Sequence, residues 1–393
     1  MPLLLTFLFI ITIGGSSVFK VGIFVPYARN ETTLAATQFA DWLVRSGIQV
    51  VMLSPSKPGK GVHTHWDSRV IYRKPSHNEN KTKLFEWAFN CTHICWFEPD
   101  EWAFRMSKIV CADSRHKFTK HYFFPSRCTA KEDSKKIKEF LDLVDEVICL
   151  NRSMLHWLNS FHPSHSLSAP RSMINICSPS TPVQSRYGPK TSGKVKLLVV
   201  VTKSAIYDVG IGLLDVFDYL LLSHENLEIT VLLQTSWPSY FRQKLSAIAK
   251  LHGERLSVVT SPDYYDYPKY TFENDWVYLC STRHDYGSLI SVLAGTGTPL
   301  ICHTLPPVLD ILGGLLTNGQ ACKLIDTGVF DTNTCPIADV DVDDVGNRLD
   351  EIVGSPSVIL QQSQIESFMQ QRKSARLFDR FIDTNFISTE SKA

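Results

Sequence analysis

The stretch WVYLCSTRHDYGSLISVLAGTGTPLICH, residues 276–303, contains two apolar runs separated by a turn, a short helical pattern and a second turn. The runs WVYLC and PLICH are typical of buried strands, whereas SLISVL between them spaces its apolar residues as a helix does. A strand, a crossover helix and a second strand form a parallel βαβ unit. The stretch therefore predicts an α/β protein built on a parallel sheet.

The same alternation of strand and helix extends along both halves of the chain. In the first half we predict strands at residues 19–28, 48–55, 68–73, 93–97, 108–113 and 146–150, with helices at 33–47, ending at a glycine, and 134–144. In the second half we predict strands at 195–202, 227–234, 255–261 and 321–326, with helices at 210–222 and 239–253. Each half therefore predicts a doubly wound, Rossmann-like α/β domain.

The length of 393 residues exceeds what one core usually organises, which also favours two domains. The Ser-, Thr-, Pro- and Gly-rich segment 178–194 has no hydrophobic period and predicts a linker. We therefore expect two domains facing each other across a cleft, followed by a long C-terminal helix that packs back across the boundary. The expected limits are an apolar start at 1–17, domains at 18–177 and 195–357, and a helix and tail at 358–393.

The charge and the cysteine content of the chain argue against several classes of function. Forty basic and 39 acidic residues leave a net charge of +1, which gives no strong nucleic-acid signal. Several of the ten cysteines lie in apolar strand-like runs, which favours buried reduced thiols over disulfides or metal ligands. The apolar residues 3–13 are too few to span a bilayer. We expect an intracellular protein, with peripheral membrane association or a secretory signal as alternatives.

The front of the helix within 276–303 is the strongest candidate site. The amides of Gly287, Ser288 and Leu289 lie where a helix N-terminus begins, and such amides bind anions. His284 and Asp285 come just before them. A helix cap at Asp285 and a turn at Gly287 are the structural alternative.

These residues resemble the family 4 glycosyltransferases, which have the GT-B fold of two Rossmann-like domains. The shared pattern is a strand, an aromatic-Gly pair at Tyr286-Gly287, a helix, and a Gly-x-Pro strand at residues 297–301. Weaker points are the loop after the first strand, residues 143–158, and residues 199–234. The resemblance implies metal-independent transfer of a sugar from a nucleotide-sugar co-substrate, with retention of anomeric configuration and no further cofactor.

The resemblance also implies roles for residues around the helix. His284 and Val292 occupy the places of the family's two glutamates, so that His284 and Asp285 would contact the donor sugar and Ser291 would partly replace the ribose ligand. Lys203 falls near one of the two family cations that neutralise the diphosphate. Val209 falls near the other, so one cation is absent. Arg29, in the loop after the first strand, is a further candidate for the diphosphate.

In the first domain, Asp113 and His116 follow a predicted strand where the family carries residues near the acceptor. The acceptor itself is left open between a glycan, a lipid, a protein and a modified base. Loss of both family glutamates supports a second interpretation, a non-catalytic GT-B protein that acts as a binding or partner subunit. The apolar start supports a third, a bilobal solute-binding protein.

Overall fold

The computed structural model describes the strands, several helices and parts of the connecting segments. The described residues are 20–25, 31–53, 70–73, 91–97, 107–108, 110, 119–125, 139–149, 155, 158–159, 171–173, 193–233, 237–260, 262, 266–281, 289–290, 293, 296, 298–303, 322–325, 328–330 and 337–353. Within these ranges no helix is both long enough and apolar enough to cross a membrane.

The described residues of the first half of the chain form a seven-stranded parallel sheet with the order β3-β2-β1-β4-β5-β6-β7. Its strands are β1 (Lys20–Phe24), β2 (Gln49–Leu53), β3 (Val70–Arg73), β4 (His93–Phe97), β5 (Lys120–Phe124), β6 (Glu146–Cys149) and β7 (Arg171–Met173). The strands β1, β4 and β5 are almost completely buried, as expected for a parallel sheet covered on both faces.

The first helix, α1 (Glu31–Arg45), connects β1 to β2 as the sequence predicts. Its side chains at Ala36, Phe39 and Leu43 recur at helical spacing and are fully buried. The chain then turns at Gly47, whose φ of 84° lies in the left-handed region and whose amide donates to the Val44 carbonyl at 3.0 Å. The predicted glycine stop is therefore confirmed.

Aromatic side chains fill the core of this sheet. Phe97 stacks on Phe124 with ring centroids 4.3 Å apart, and Phe39 of α1 lies 4.9 Å from the Phe124 ring. Phe24 stacks on Trp96 at 4.0 Å. These contacts join α1 and three neighbouring strands through rings that each bury a large apolar area.

One predicted strand is wrong. We predicted a strand at 108–113, but Lys108 and Val110 are helical. The strand next to β4 is instead β5, whose aromatic run KHYFF pairs with all five residues of β4. A short apolar run suits a buried strand and a buried helical turn equally well, so periodicity does not separate the two.

In the part of the second half that the structure describes, a six-stranded parallel sheet has the order β10-β9-β8-β11-β12-β13, and β14 and β15 form a two-stranded antiparallel sheet. The strands are β8 (Val195–Val201), β9 (Leu227–Leu233), β10 (Leu256–Thr260), β11 (Trp276–Cys280), β12 (Leu300–His303), β13 (Cys322–Ile325), β14 (Gly328–Phe330) and β15 (Ile337–Asp339). Both predicted strands of the stretch 276–303 are present as the neighbours β11 and β12.

Helices cover both faces of this second sheet. They are α2 (Lys203–Asp208), α3 (Gly210–Ser223), α4 (Ser239–His252), α5 (Tyr267–Glu273) and α6 (Val342–Val353). The side chains of α3, α4 and α6 pack with Val199 and Val201 of β8, whereas Tyr267 of α5 packs with Leu198 and Val200 on the other face. The predicted fold class, two Rossmann-like parallel sheets of the GT-B kind, is confirmed. The predicted C-terminal helix lies outside the described residues.

Candidate functional site at the carboxyl edge of the second sheet

Both sheets reverse their strand order at one point. In the first sheet β1 lies between β2 and β4, and in the second β8 lies between β9 and β11. At such a point the connections that leave two neighbouring strands, such as β8 and β11, run to opposite faces of the sheet. A crevice therefore opens outside the carboxyl ends of these two strands, and doubly wound proteins bind ligands there. The candidate site is therefore the carboxyl edge at β8 and β11.

The ends of β8 and β11 are tied together at this point. The amide of Thr202, directly after β8, donates to the carbonyl of Cys280, the last residue of β11, at 3.1 Å. The Thr202 hydroxyl also accepts from the amide of Ala205 at 3.4 Å and so caps α2. Lys203 follows as the first residue of α2. The backbone of this predicted donor ligand thus lies at the switch point.

A hydrogen-bonded pair of buried side chains lies beneath the same edge. The hydroxyl of Tyr278 on β11 lies 2.9 Å from Nε2 of His303, the last residue of β12, and both side chains are buried. Burial lowers the pKa of His303 to about 4 and raises the pKa of the Tyr278 phenol well above its usual value. At neutral pH the pair is therefore uncharged.

Cys280 belongs to the same buried cluster. Its side chain lies on the same face of β11 as that of Tyr278, because residues two apart in a strand point to one side. Burial raises the pKa of the Cys280 thiol to about 12, although its hydrogen bond with Tyr278 opposes that rise. The thiol is protonated at neutral pH and does not act as a nucleophile.

The helix between β11 and β12 is described at residues 289, 290 and 293, all of which are helical. The side chain of Leu289 is buried in the core against β8, β11 and β12, together with those of Ile290 and Leu293. The predicted contribution of Leu289 is its backbone amide, so burial of the side chain leaves that prediction open.

Most predicted site residues lie outside the described residues, so their roles stay predictions. These residues are Arg29, Asp113, His116, His284, Asp285, Tyr286, Gly287, Ser288 and Ser291. The backbone of Lys203 is described at the first position of α2. The structure therefore brings the backbone of Thr202 next to the end of β11. Residues 284–291 follow β11 along the chain, whereas Arg29, Asp113 and His116 belong to the first half of the chain.

Sequence analysis did not single out Tyr278 and His303, although both lie within residues 276–303. The signal available was their position: Tyr278 shares a strand face with Cys280, and His303 is a polar residue that ends an apolar strand. Their pairing depends on the alignment of β12 with β11, where Tyr278 lies opposite Ile301. A single strand does not reveal that register.

No group of three potential metal ligands of the types His, Cys, Asp and Glu occurs within the described part of the chain. Five cysteines whose side chains the structure describes are buried and form no disulfide: Cys91, Cys95, Cys149, Cys280 and Cys302. For these five, the prediction of buried thiols is confirmed. Burial raises the pKa of the Cys91 thiol to about 12, despite the nearby positive charge of Lys20.

The fold defined by the two sheets is that of the GT-B proteins, and solved structures with this fold resemble the chain over 93% or more of its length. A glycosyltransferase from Rickettsia africae covers 93% of this chain and 98% of its own, with a TM-score of 0.63 and 9% identity. The Anabaena protein HepE, in complex with UDP-glucose, covers 93% and 99% with a TM-score of 0.65 and 10% identity.

A Listeria monocytogenes protein assigned as a UDP-N-acetylglucosamine 2-epimerase covers 94% of this chain and 97% of its own, with a TM-score of 0.60 and 11% identity. No protein-family model and no curated protein sequence matches the chain. At identities near 10% these likenesses show the fold, which transferases and epimerases share.

Proposed function

We propose that this chain is a glycosyltransferase that binds a nucleotide-sugar donor at the carboxyl edge of the second sheet. The observation that carries the proposal is the switch point at β8 and β11, where Thr202 and Cys280 join the strand ends. Similar structures support it, since HepE was solved with UDP, with UDP and glucose, and with UDP-glucose. UDP-sugars are accordingly the first donors to test.

In the proposed reaction, the bond between the anomeric carbon of the sugar and the diphosphate oxygen breaks, and a bond to an acceptor oxygen forms. The nucleoside diphosphate leaves with the bonding electrons, and its leaving oxygen accepts the proton that the acceptor hydroxyl loses. Preorganised positive groups lower the barrier because they stabilise the charge that grows on the leaving diphosphate. We propose that these are the amides of Gly287, Ser288 and Leu289, together with Lys203 and Arg29.

The sugar and the acceptor require further residues. We propose that His284 and Asp285 contact the donor sugar, with Tyr286 and Ser291 bordering the nucleotide, and that Asp113 and His116 lie near the acceptor. Retention of configuration and independence of metal follow from the resemblance to family 4. The acceptor is a hydroxyl of a glycan, lipid, protein or modified base.

Calorimetric titration of the full chain with UDP, GDP and their common sugar conjugates tests the donor site. We expect selective binding that weakens at least about tenfold in Lys203→Ala and in His284→Ala. Lys196→Ala is the matched control, because Lys196 lies on the same strand as the switch point but near its opposite end. Equal loss in the control, or no binding by the folded native chain, would contradict the proposal.

A second candidate function is a binding or partner subunit that no longer transfers sugar. It is favoured by Val292, since a valine cannot accept hydrogen bonds from ribose hydroxyls. Incubation of the chain with a UDP-sugar that it binds, followed by NMR of the sugar products, distinguishes a transferase, an epimerase and a binding subunit. Transfer or hydrolysis supports the transferase, a changed sugar at the same nucleotide indicates epimerisation, and unchanged donor supports the binding subunit.

A further inference from the structure

The two halves of the chain carry surplus charge of opposite sign. Residues 18–177 contain 22 lysines and arginines and 15 aspartates and glutamates, which is a net charge of +7. Residues 195–357 contain 10 basic and 20 acidic residues, which is a net charge of −10. The segment 178–194 adds three basic residues and no acidic one. The net charge of +1 for the whole chain therefore conceals a strong asymmetry, and such an asymmetry is a sequence signal of a charged partner.

Ion pairs within the first half cannot remove its positive surplus. Lys108 illustrates such a pair, because its ammonium group lies 2.9 Å from a carboxylate oxygen of Glu139 in the same half. If each of the 15 acidic residues of this half neutralised one basic residue, seven basic residues would still be left over. In the second half, pairs such as Lys244–Asp215 likewise join residues of one half. The anionic groups that neutralise the surplus of the first half must therefore come from outside it.

Screening by salt makes the charge of each half act separately. At physiological ionic strength the interaction between exposed charges decays over about 8 Å. A domain of this size has a radius of gyration of about 15 Å, so much of its surface lies beyond the screening distance from the other domain. A ligand on the first half is therefore attracted by the surplus of that half and is little affected by the net charge of the whole chain.

The exposed apolar side chains argue against a lipid surface as the partner of the first half. Peripheral binding to an anionic membrane is strengthened when apolar side chains insert beside the basic ones. Among the side chains whose burial is described, the large exposed apolar ones all belong to the second half, on α2, α3 and α4. They are Tyr207, Ile211, Tyr219, Leu222, Tyr240 and Leu251. The second half is acidic, and an anionic membrane repels it, so a water-soluble polyanion fits the first half better.

The acidic second half also argues against a long nucleic acid. Duplex DNA carries one negative charge about every 1.7 Å along its axis and is stiff over about 150 base pairs. A bound duplex that extends past the first half would therefore meet a half with a net charge of −10. An acidic oligosaccharide is short and carries fewer charges per unit length, so it can lie on the first half alone. Its hydroxyl groups are also acceptors that a glycosyltransferase can use.

We propose that the acceptor is an acidic glycan, a saccharide chain with carboxylate, sulfate or phosphate groups, and that the first half of the chain binds it. This rests on the transferase function proposed above, in which Asp113 and His116 of the same half lie near the acceptor. One hydroxyl of the glycan receives the sugar, while its anionic groups bind surplus lysines and arginines. These charge-assisted contacts hold the saccharide on the first half.

Fluorescence anisotropy of the full chain with a labelled oligogalacturonate, which has one carboxylate on each sugar, tests the acidic ligand. We expect binding at about 20 mM salt that weakens at least about tenfold at about 200 mM salt, because salt screens the surplus cations. The same oligosaccharide with methyl-esterified carboxylates is the matched control ligand, and it should bind at least about tenfold more weakly. Because surplus charge supplies the attraction, the absence of oligogalacturonate binding at about 20 mM salt would overturn the acidic acceptor.

Two charge-reversal variants locate the ligand. Lys135→Glu with Lys136→Glu lowers the net charge of the first half by four, from +7 to +3. Lys250→Glu with Lys269→Glu changes the net charge of the whole chain by the same amount, but at exposed residues of the second half. We expect the first variant to weaken oligogalacturonate binding at least about tenfold and the second to change it less than about twofold. Equal loss in both variants would overturn binding by the first half.

Circular dichroism shows whether the variants fold. If Lys135→Glu with Lys136→Glu does not fold, Lys57→Glu with Lys60→Glu makes the same change of charge in another segment of the first half. Calorimetric titration of the same preparations with UDP-sugars distinguishes the two proposals. Binding of a UDP-sugar without oligogalacturonate overturns the acidic acceptor and leaves the donor site standing. Binding of oligogalacturonate without any nucleotide-sugar overturns the transferase and, with it, the role of the glycan as acceptor.

Three further results would assign the positive surplus to a different partner. An oligodeoxynucleotide with the same number of charges that binds at least about tenfold more tightly than oligogalacturonate overturns the glycan in favour of a nucleic acid. Vesicles containing phosphatidylglycerol that bind a chain to which oligogalacturonate does not bind overturn it in favour of a lipid surface. Self-association that salt abolishes and that oligogalacturonate does not displace overturns it in favour of the acidic half of a second copy.

Discussion

At the residue scale, the pair Tyr278–His303 is where burial has the clearest chemical effect. Both side chains are buried within the second sheet, and the 2.9 Å hydrogen bond joins the neighbouring strands β11 and β12. Because β11 precedes the segment that carries residues 284–291, the pair lies beneath the proposed donor site. Its neutrality at physiological pH follows from the pKa of about 4 at His303.

The lowered pKa of His303 predicts acid sensitivity of the fold. Its ordinary value is 6.5 and its folded value about 4, so between these values the unfolded chain binds a proton that the native chain does not. Stability therefore falls as the pH decreases through this window, by on the order of 3 kcal/mol from this residue. In urea unfolding between about pH 7 and pH 4, His303→Gln should show a shallower decline than the native chain.

Tyr278→Phe is the control for this experiment. It removes the phenol hydroxyl and leaves His303 Nε2 without that partner, which should lower stability at every pH by about 1–3 kcal/mol. The imidazole stays buried, so the steep decline with falling pH should persist. Equal pH slopes for the native chain and His303→Gln would exclude the proposed contribution of His303.

At the element scale, the approach of α3 to α6 depends on glycine. A Cβ atom at Gly212 of α3 would lie 3.0 Å from both methyl carbons of Val342, at the start of α6. A Cβ atom at Gly346 of α6 would meet Val216 of α3 at 3.5 Å, an ordinary contact distance. The two glycines therefore have different physical roles in the same helix pair, since only Gly212 is needed for close approach.

This difference predicts different effects of two alanine substitutions. Gly346→Ala should stabilise the fold by about 0.5–1 kcal/mol, because alanine favours the helix and the site has room. In Gly212→Ala the close contact with Val342 should cancel this gain. We expect Gly212→Ala to be less stable than Gly346→Ala by at least about 1 kcal/mol. Thermal unfolding measures both variants. In a Val342→Ala background the penalty at Gly212 should disappear, and a penalty that persists would locate the strain elsewhere.

At the scale of the whole molecule, strand pairing divides the chain into two sets. Among the described strands, β1–β7 pair only with one another, and β8–β13 pair only with one another. Each set repeats the order 3-2-1-4-5-6, with one extra strand in the first sheet. The predicted linker at 178–194 lies between the last strand of the first set and β8.

Limited proteolysis of the full chain tests the predicted boundaries. If 178–194 is a linker, a broad-specificity protease should cut there first, because few contacts hold such segments. Mass spectrometry should then find two long-lived fragments that meet between residues 178 and 194. Early cleavage at many positions in both halves, or persistent cleavage elsewhere, would show that the predicted limits are wrong.

Residues 195–202 illustrate what local pattern can predict. The run VKLLVVVT is apolar at almost every position, which indicates a strand buried on both faces, and β8 is indeed the inner strand of its sheet. Residues 120–124 and 171–173 show the limit, since neither strand was predicted. The first carries aromatic residues without a clear alternation, and the second is only three residues long.

The fold class was readable from the amino-acid pattern, because alternating strands and helices with apolar periodicity have few ways to bury their apolar faces other than in parallel sheets. The order of the strands was not readable from that pattern, and with it the switch point at β8 and β11 and the pairing of Tyr278 with His303. Which apolar side chains of α2, α3 and α4 are exposed was likewise a tertiary result. The physical reason is that burial and register arise from contacts between residues distant in the chain, whereas periodicity reports only local geometry.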